Sequence, residues 1–205
     1  EAAGHPDDGN EYDGVPLVTD NNLEGVDVVI DFSLPEGTMG ILAACEQAGV
    51  PIVIGTTGLS DEHCERVAQA SGTIPVICSP NMSVGVNLMF KTIADVAAIL
   101  KGYEVTVYEA HHVHKKDAPS GTAKKMVDIV AGKGFEIEYE DVRAVRKGEI
   151  VGDHRIVFDG PVDSFEISHH AKTRDIFAVG AIKAARWLHG KQQGQYSMQN
   201  VLGLE

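Results

Sequence analysis

The segment EAHHVHKKDAPSGTA, residues 109–123, concentrates side chains that can move protons and bind anions. Histidine transfers protons near neutral pH, and lysine offers a cation that binds a carboxylate or gives up a proton. The Ser120-Gly121-Thr122 turn precedes a predicted helix, and the first N–H groups and the dipole of a helix attract anions. The segment therefore predicts proton transfer beside a carboxylate-binding cradle. Its three histidines and two lysines lie within six positions: His111, His112, His114, Lys115 and Lys116.

The residues alone leave other interpretations of this segment open. The three histidines could bind zinc, but no cysteine or carboxylate lies at a usual zinc spacing, and two adjacent lysines repel a cation. A plain solvated turn is a second alternative, and a protein that binds a small dicarboxylate without catalysis is a third. A hydrolase that uses Ser120 and His111 is the fourth, although Ser120 lacks the glycine pattern of a nucleophile elbow.

Four other residues outside this segment have chemically active or large side chains. His169-His170 follows a predicted strand, and both a structural or interdomain role and a substrate role fit it. The sequence favours a structural role for His154 and a packing role for Trp187 on the last helix.

Alternating strands and helices must position these residues. Apolar runs at 26–32, 51–58 and 74–81 are each followed by a helical pattern, which predicts a parallel α/β sheet. Ligands bind beyond the carboxyl ends of such strands. Three turns at these ends can hold a dinucleotide, although the second is also a plain tight turn in isolation: Asp31-Phe32-Ser33, Gly55-Thr56-Thr57-Gly58 and Ser79-Pro80-Asn81-Met82.

The pattern changes after residue 83, which predicts a second domain. A long helix over 84–100, an alternating strand over 103–109 and a helix over 123–131 come first. Consecutive strand-like stretches then follow Gly134 and predict a mixed or antiparallel sheet. The chain is helical again from about Arg174.

Composition narrows the classes of partner. The 205 residues carry a net charge of −13, which disfavours nucleic acid as a partner. No apolar run reaches the ~20 residues of a membrane helix, and no secretion signal opens the chain. The three cysteines form no C-x-x-C motif, which is typical of reduced thiols in a cytoplasmic protein.

The ordered set of motifs resembles the 4-hydroxy-tetrahydrodipicolinate reductase (dihydrodipicolinate reductase) family of the diaminopimelate and lysine pathway. The block EAHHVHKKDAPSGTA is the most specific, and the matching stretches span nearly the whole chain. They are IDFSLPEGT (30–38), VIGTTG (53–58), SPNMSVGVN (79–87), EAHHVHKKDAPSGTA (109–123), GEIVGDH (148–154) and MQNVLGL (198–204).

The resemblance implies roles for individual residues. His111 would be the catalytic acid/base and Lys115 the proton donor, in a hydride transfer from NADH or NADPH to a cyclic imine acid. The substrate carboxylates would be bound by His112, Gly121 and Thr122. The nicotinamide would be lined by Gly55, Thr56, Thr57, Ser79, Pro80, Asn81 and Met82.

The resemblance also implies an architecture. The fold would be a Rossmann-like parallel-sheet nucleotide-binding domain, N-terminally incomplete here, plus a second α+β domain with a mixed sheet. The first domain would comprise 1–82 and 174–205, and 83–173 would bind substrate and form a homotetramer. The family's glycine-rich loop and first two strands are not in the sequence, and the loop before GEIVGDH is short.

Cofactor preference is predicted from the first two residues. Glu1 resembles the acidic residue that binds the adenosine ribose hydroxyls, and Ala2 stands where NADPH-using relatives often carry arginine. An acid without a basic neighbour disfavours a 2′-phosphate. The sequence therefore favours NADH over NADPH.

Overall fold

The computed structural model describes residues 9–18 and 22–204. Glu1 therefore lies outside the described residues, and its predicted cofactor role stays a prediction. Residues Tyr139–Asp141 form a short 3-10 turn. The helices and strands are, in chain order, β1 (Glu11–Tyr12), β2 (Val15–Pro16), β3 (Val29–Asp31), α1 (Pro35–Ala48), β4 (Ile52–Ile54), α2 (Asp61–Ala70), β5 (Pro75–Cys78), α3 (Val84–Ile99), β6 (Glu104–His111), α4 (Gly121–Ala131), β7 (Arg143–Arg146), β8 (Gly152–Asp159), β9 (Ser164–Ala171), α5 (Asp175–Leu188), β10 (Gly194–Tyr196) and α6 (Met198–Leu202).

The described residues form two compact units. The first contains the chain up to Pro80 together with Ala181–Ser197. The second contains Asn81–Gly180 and the chain from Met198 onwards. The sequence predicts that 174–205 belong to the first domain. Ala181–Ser197 lie in the first unit, whereas α6 lies in the second. Which ligand each unit takes stays a prediction.

The first unit is built on a parallel sheet with strand order β10-β5-β4-β3. Its central strands are short and apolar because they are buried on both faces. Ile52 and Ile54 on β4 pack with Leu42 of α1 and Val67 of α2 in one fully buried cluster. The predicted Rossmann-like sheet is confirmed.

Strand β10 was not predicted from the sequence. It pairs in parallel with β5, with Gln195 opposite Val76. Its three residues, GQY, have no apolar alternation, so only the tertiary pairing reveals the strand.

The second unit contains the predicted mixed sheet, in the order β7-β6-β8-β9. Strand β6 runs parallel to β7 and antiparallel to β8. Helices α3 and α4 pack on one face through Ile93 and Met126, against Val107 of β6 and Phe158 of β8. Since side chains alternate along a strand, Glu109 and His111 lie on the same face as Val107. The apolar core therefore gives way to polar side chains at one end of this face.

The start of α5 packs closely against the turn that precedes α3. A Cβ added to Gly180 would lie 1.8 Å from the Met82 carbonyl oxygen, so even alanine does not fit. We expect Gly180→Ala to lower the free energy of unfolding by about 1–3 kcal/mol, the cost of overpacking, although alanine ordinarily stabilises a helix relative to glycine. Chemical denaturation measures this change.

The matched control is Gly40→Ala on α1, where an added Cβ meets nothing within 4 Å. This variant should gain up to about 1 kcal/mol from helix propensity. A Gly180→Ala protein at least as stable as the parent would contradict the close packing.

Among the helices of the described residues, none combines the length and apolar character needed to span a membrane.

Candidate active site

Strand β6 carries a buried carboxylate–imidazole pair at its end. Glu109 is 2% exposed and His111 is 8% exposed. The Nδ1 atom of His111 lies 2.5 Å from Oε2 of Glu109. Arg146 stands opposite His111 in the parallel register of β6 and β7, and donates to both oxygens of Glu109 at 2.9 and 2.8 Å. The two hydrogen bonds from Arg146 compensate the negative charge of Glu109, which would otherwise be costly to bury.

The hydrogen bonds keep Glu109 ionised. Burial by itself raises the pKa of this carboxyl, but the hydrogen bonds from His111 and Arg146 act in the opposite direction and together bring its pKa down to about 2. The site therefore contains a fixed negative charge directly behind the imidazole of His111.

A second buried histidine, His154 on β8, packs against the first. The ring centroids of His111 and His154 are 5.1 Å apart, in an edge arrangement. Burial, and then the charge of His111, lower the pKa of His154 to about 3, so its ring is neutral at physiological pH. Its Nε2 lies 3.3 Å from Oγ of Ser120.

The position of Ser120 argues against the alternative interpretation of the segment as a hydrolase site. It is the N-cap of α4, and its Oγ accepts a hydrogen bond from the Ala123 N–H. The serine is 2% exposed and contacts His154 rather than His111. The Ser120–His111 pair that a hydrolase would need is thus not formed, and the histidine that Ser120 does meet is a poor base.

The low pKa of His154 predicts acid lability. In the unfolded chain this histidine takes up a proton near its ordinary pKa of 6.5, whereas the folded ring resists protonation down to about pH 3. Its contribution to stability is therefore complete above pH 6.5 and is lost as the pH falls from 6.5 towards 3, by at most about 1.4 kcal/mol per pH unit. Glu109 adds a further loss between its ordinary value of 4.5 and about 2.

Urea unfolding across this pH range, for the parent protein and for His154→Asn, measures the effect. The variant should show a shallower decline of the unfolding free energy between pH 6.5 and 4.5. His114→Asn, which removes a histidine with a 76% exposed side chain, is the control and should follow the parent. Parallel curves for all three proteins would contradict the assignment.

The loop after His111 is held by the same arginine. Arg146 donates to the carbonyl oxygens of Lys115 at 3.3 Å and of Asp117 at 2.5 Å. The Lys115 ammonium lies 2.8 Å from an Asp117 carboxylate oxygen. Burial raises and the hydrogen bond from Lys115 lowers the pKa of Asp117, and the net change is downward. Lys115 is thus partly buried and ordered, whereas Lys116 is exposed.

The three histidines of the segment point to different partners. Nδ1 of His111 meets Glu109, Nε2 of His112 lies 3.2 Å from Arg174, and Nε2 of His114 lies 3.8 Å from Glu149. Desolvation, followed by the charge of Arg174, lowers the pKa of His112, which favours the neutral ring. Within the part of the chain that the structure describes, no three His, Cys, Asp or Glu side chains converge as metal ligands.

The N-terminus of α4 supplies the predicted anion cradle. Gly121 and Thr122 are its first two residues, and no carbonyl within the helix can accept from their N–H groups. A Cβ at Gly121 would meet nothing within 4 Å, so the approach is open. Asn81, predicted on the cofactor side, donates to the Thr122 hydroxyl at 3.2 Å. The structure thus brings together Thr122 and one residue of the SPNM turn within the second unit.

The GTTG turn of the first unit follows β4 at its carboxyl end. The Thr56 hydroxyl is engaged inside the chain, with a carboxylate oxygen of Asp31 at 3.0 Å and the Thr38 hydroxyl at 2.9 Å. Gly55 lies under the Phe32 ring, which an added Cβ would approach to 2.2 Å. What the turn can offer a ligand is therefore its backbone and the exposed Thr57. Ser79 and Pro80 follow β5, the neighbouring strand of the same sheet.

The second histidine pair divides between the two faces of β9. His169 packs against the start of α3, where a Cβ at Gly85 would lie 2.8 Å from its ring. His170 points the other way and contacts Asp153. Because side chains alternate along a strand, the two rings lie on opposite faces. The packing of His169 against α3 fits the structural role, one of the two that were predicted.

The sequence analysis did not identify two residues that organise these sites: Glu109 and Arg146. Glu109 was noted only as a strand end, yet its spacing of two from His111 places both on one face. Arg146 lies 37 positions from Glu109, and only the parallel pairing of β6 with β7 brings the two together. Asp31 was predicted at a strand end, and the structure adds that its carboxylate accepts hydrogen bonds from the Thr38 and Thr56 hydroxyls.

The fold and the site place the chain in the class of reductases that combine a Rossmann-like unit with a separate mixed-sheet unit. The N-terminal and C-terminal family models of dihydrodipicolinate reductase match residues 9–82 and 85–202. The chain belongs to the dihydrodipicolinate reductase family.

Individual relatives agree with this membership. The chain is 44% identical to the 4-hydroxy-tetrahydrodipicolinate reductase of Thiobacillus denitrificans, over 89% of the chain and 76% of the relative. It is 44% identical to that of Xanthomonas campestris, over 93% of the chain and 80% of the relative. A dipicolinate-bound dihydrodipicolinate reductase from Paenisporosarcina superposes with a TM-score of 0.75 at 26% identity, over 91% of the chain and 79% of the solved structure.

Proposed function

We propose that this chain reduces 4-hydroxy-tetrahydrodipicolinate to tetrahydrodipicolinate, in diaminopimelate and lysine biosynthesis, with the second unit holding the substrate. The names of its relatives define the reaction. The observation that supports this site most is the buried His111–Glu109 pair, at the start of the loop that carries Lys115 and leads to the N-terminus of α4. Proton transfer and anion binding thereby meet within one short segment.

Substrate binding uses the groups that can accept a dicarboxylate. One carboxylate would receive hydrogen bonds from the Gly121 and Thr122 N–H groups at the positive end of the helix dipole. His112 and the Lys115 ammonium would contact the substrate's other polar groups. The solved relative binds dipicolinate, a planar ring with two carboxylates, which is the shape and charge expected for this cradle.

In the proposed reaction His111 acts as the acid/base and Lys115 as the proton donor. The reaction adds a hydride and a proton to the unsaturated ring, and the 4-hydroxyl leaves as water together with a hydrogen from a neighbouring ring carbon. Because Nδ1 of His111 is bound by Glu109, Nε2 is the atom that faces the substrate. The Glu109 carboxylate lies behind the His111 ring and can stabilise positive charge on it, and the Lys115 ammonium can donate a proton as negative charge develops on the substrate.

A nicotinamide cofactor would be held by turns at the carboxyl ends of β4 and β5. It would be lined by Gly55, Thr56, Thr57, Ser79, Pro80, Asn81 and Met82, and when bound it supplies the hydride. The turn residues fit such a group, because a Cβ at Gly58 meets nothing within 4 Å and Thr57 is exposed. The preference for NADH depends on Glu1 and Ala2, which lie outside the described residues.

We also propose a homotetramer assembled through the mixed sheet. Val145 and Arg155 are exposed on the sheet face that carries Tyr108, and the Arg155 guanidinium lies over the Tyr108 ring. Light scattering would measure the assembly. A cytoplasmic location stays a prediction.

The test of the proposed reaction is a turnover assay. The purified protein is mixed with freshly generated substrate and either NADH or NADPH, and oxidation of the cofactor is followed by absorbance. Oxidation that matches product formation one to one supports the proposal. Binding of substrate or dipicolinate without any oxidation, with either cofactor, would instead identify a non-catalytic dicarboxylate-binding protein.

A further inference from the structure

We propose that Glu109, with Arg146 as its counter-ion, is the positioning residue of this site: it orients His111 and ties that histidine to the Lys115 loop and to the N-terminus of α4. The inference rests on the proposed function for the role of His111. Neither residue contacts the substrate in this account, and both act through the groups that do.

Both oxygens of the Glu109 carboxylate are fully engaged in hydrogen bonds. Its side chain is fully buried, with an exposed fraction of 0%. Oε2 accepts from His111 and from Arg146, and Oε1 accepts from Arg146 and from the Ser120 N–H at 3.2 Å. A buried charge that receives four hydrogen bonds is a fixed point, because moving it would leave several donors without an acceptor.

The orientation of the His111 ring is fixed by its neighbours. Its Nδ1 must carry hydrogen to donate to the carboxylate, so Nε2 remains for exchange with a substrate. Gly152 makes room for that atom, since a Cβ there would lie 3.1 Å from Nε2. The edge of the ring packs against His154. The ring is therefore held on three sides with one nitrogen left for chemistry.

Glu109 and Arg146 also connect His111 to the rest of the site. Arg146 bonds Glu109 and also the carbonyl oxygens of Lys115 and Asp117. Oε1 of Glu109 bonds the N–H of Ser120, the residue that caps α4. The Glu109 carboxylate thus fixes three parts of the site relative to one another: the His111 ring, the loop that carries Lys115, and the N-terminus of α4.

The test is Glu109→Gln, which keeps the shape and removes the charge. We expect kcat near neutral pH to fall about 100-fold or more, with KM changed by less than about threefold, because the lost interaction supports proton transfer more than binding. The shape of the pH profile of kcat/KM should also change, because the substitution removes the fixed negative charge beside the reacting ring. The charged and titratable groups around that ring are Glu109 on β6, Arg146 on β7, His154 on β8 and Lys115 in the loop.

The matched control is Glu104→Gln, the same substitution at an exposed position on the same strand, which should leave rate and pH profile unchanged. A Glu109→Gln protein with a profile of unchanged shape, lowered equally at every pH or not lowered at all, would overturn the proposal.

A second measurement needs no variant and no turnover. Nitrogen-15 NMR of the His111 ring in the unliganded protein should show Nδ1 carrying hydrogen across the neutral and alkaline range. A ring with Nε2–H and bare Nδ1 would overturn the proposal, even if the enzyme is active. If Nδ1 carries hydrogen but no turnover occurs with any cofactor, the positioning pair stands and the proposed reaction fails, so the two failures are distinct. The NMR result also decides the question should Glu109→Gln fail to fold.

Discussion

Replacement of His111 by glutamine should lower kcat for reduction of the cyclic substrate by about 10²- to 10⁴-fold, the usual contribution of a positioned general acid. Glutamine can still donate a hydrogen bond from this place, but it cannot give up a proton. The KM should change little, because in this account His111 acts on the transition state and the carboxylates are held elsewhere. Steady-state rates at saturating cofactor measure both constants.

The chain offers a close control for this result. His114→Gln makes the same change three residues further on, at a side chain that is 76% exposed. It should keep the rate of the parent within about twofold. Equal losses in the two variants, or full activity of His111→Gln, would show that the His111–Glu109 pair takes no part in proton transfer.

Replacement of Lys115 by methionine should lower kcat/KM by about 10²- to 10³-fold, which corresponds to the cost of about 3–4 kcal/mol for removing a partly buried charge from a polar contact. Methionine keeps the length of the aliphatic side chain and removes only the cation. In contrast to His111→Gln, the loss should appear in both kcat and KM, because the ammonium binds the dianion and also stabilises the developing charge. The affinity for dipicolinate should fall in parallel.

The neighbouring lysine provides the comparison. Lys116→Met removes the same charge from an exposed position, so it should alter kcat/KM by less than about threefold at physiological salt. A loss of similar size in both variants would mean that the general positive field of the loop matters, and not a contact made by Lys115.

The architecture was largely predictable because two local signals were strong. Apolar strands alternating with helices gave the parallel sheet, and the period of two in 103–109 gave β6. Strand β10 escaped because a three-residue edge strand is defined by its partner and not by its own side chains. The return of α6 to the second unit escaped for a similar reason, since a five-residue helix carries little periodicity.

The chemistry of the site was predictable only in part. His111, Lys115 and the Ser-Gly-Thr turn are contiguous, so their residue types could be read together. Glu109 looked like the end of a strand, and Arg146 lay in a distant stretch whose pairing partner could not be known. Burial also determines the state of two side chains: it keeps the ring of His154 neutral, and it turns the Thr56 hydroxyl towards Asp31 inside the chain. Such effects depend on tertiary surroundings, and a linear pattern does not record them.

The most direct measurement on the central claim is a crystal structure of the protein with dipicolinate bound. The account predicts one carboxylate on the N–H groups of Gly121 and Thr122, and Nε2 of His111 within hydrogen-bond distance of the ligand. It also predicts that the contact between His111 and Glu109 persists. Dipicolinate bound away from α4, or a His111 ring turned so that Nδ1 faces the ligand, would contradict it.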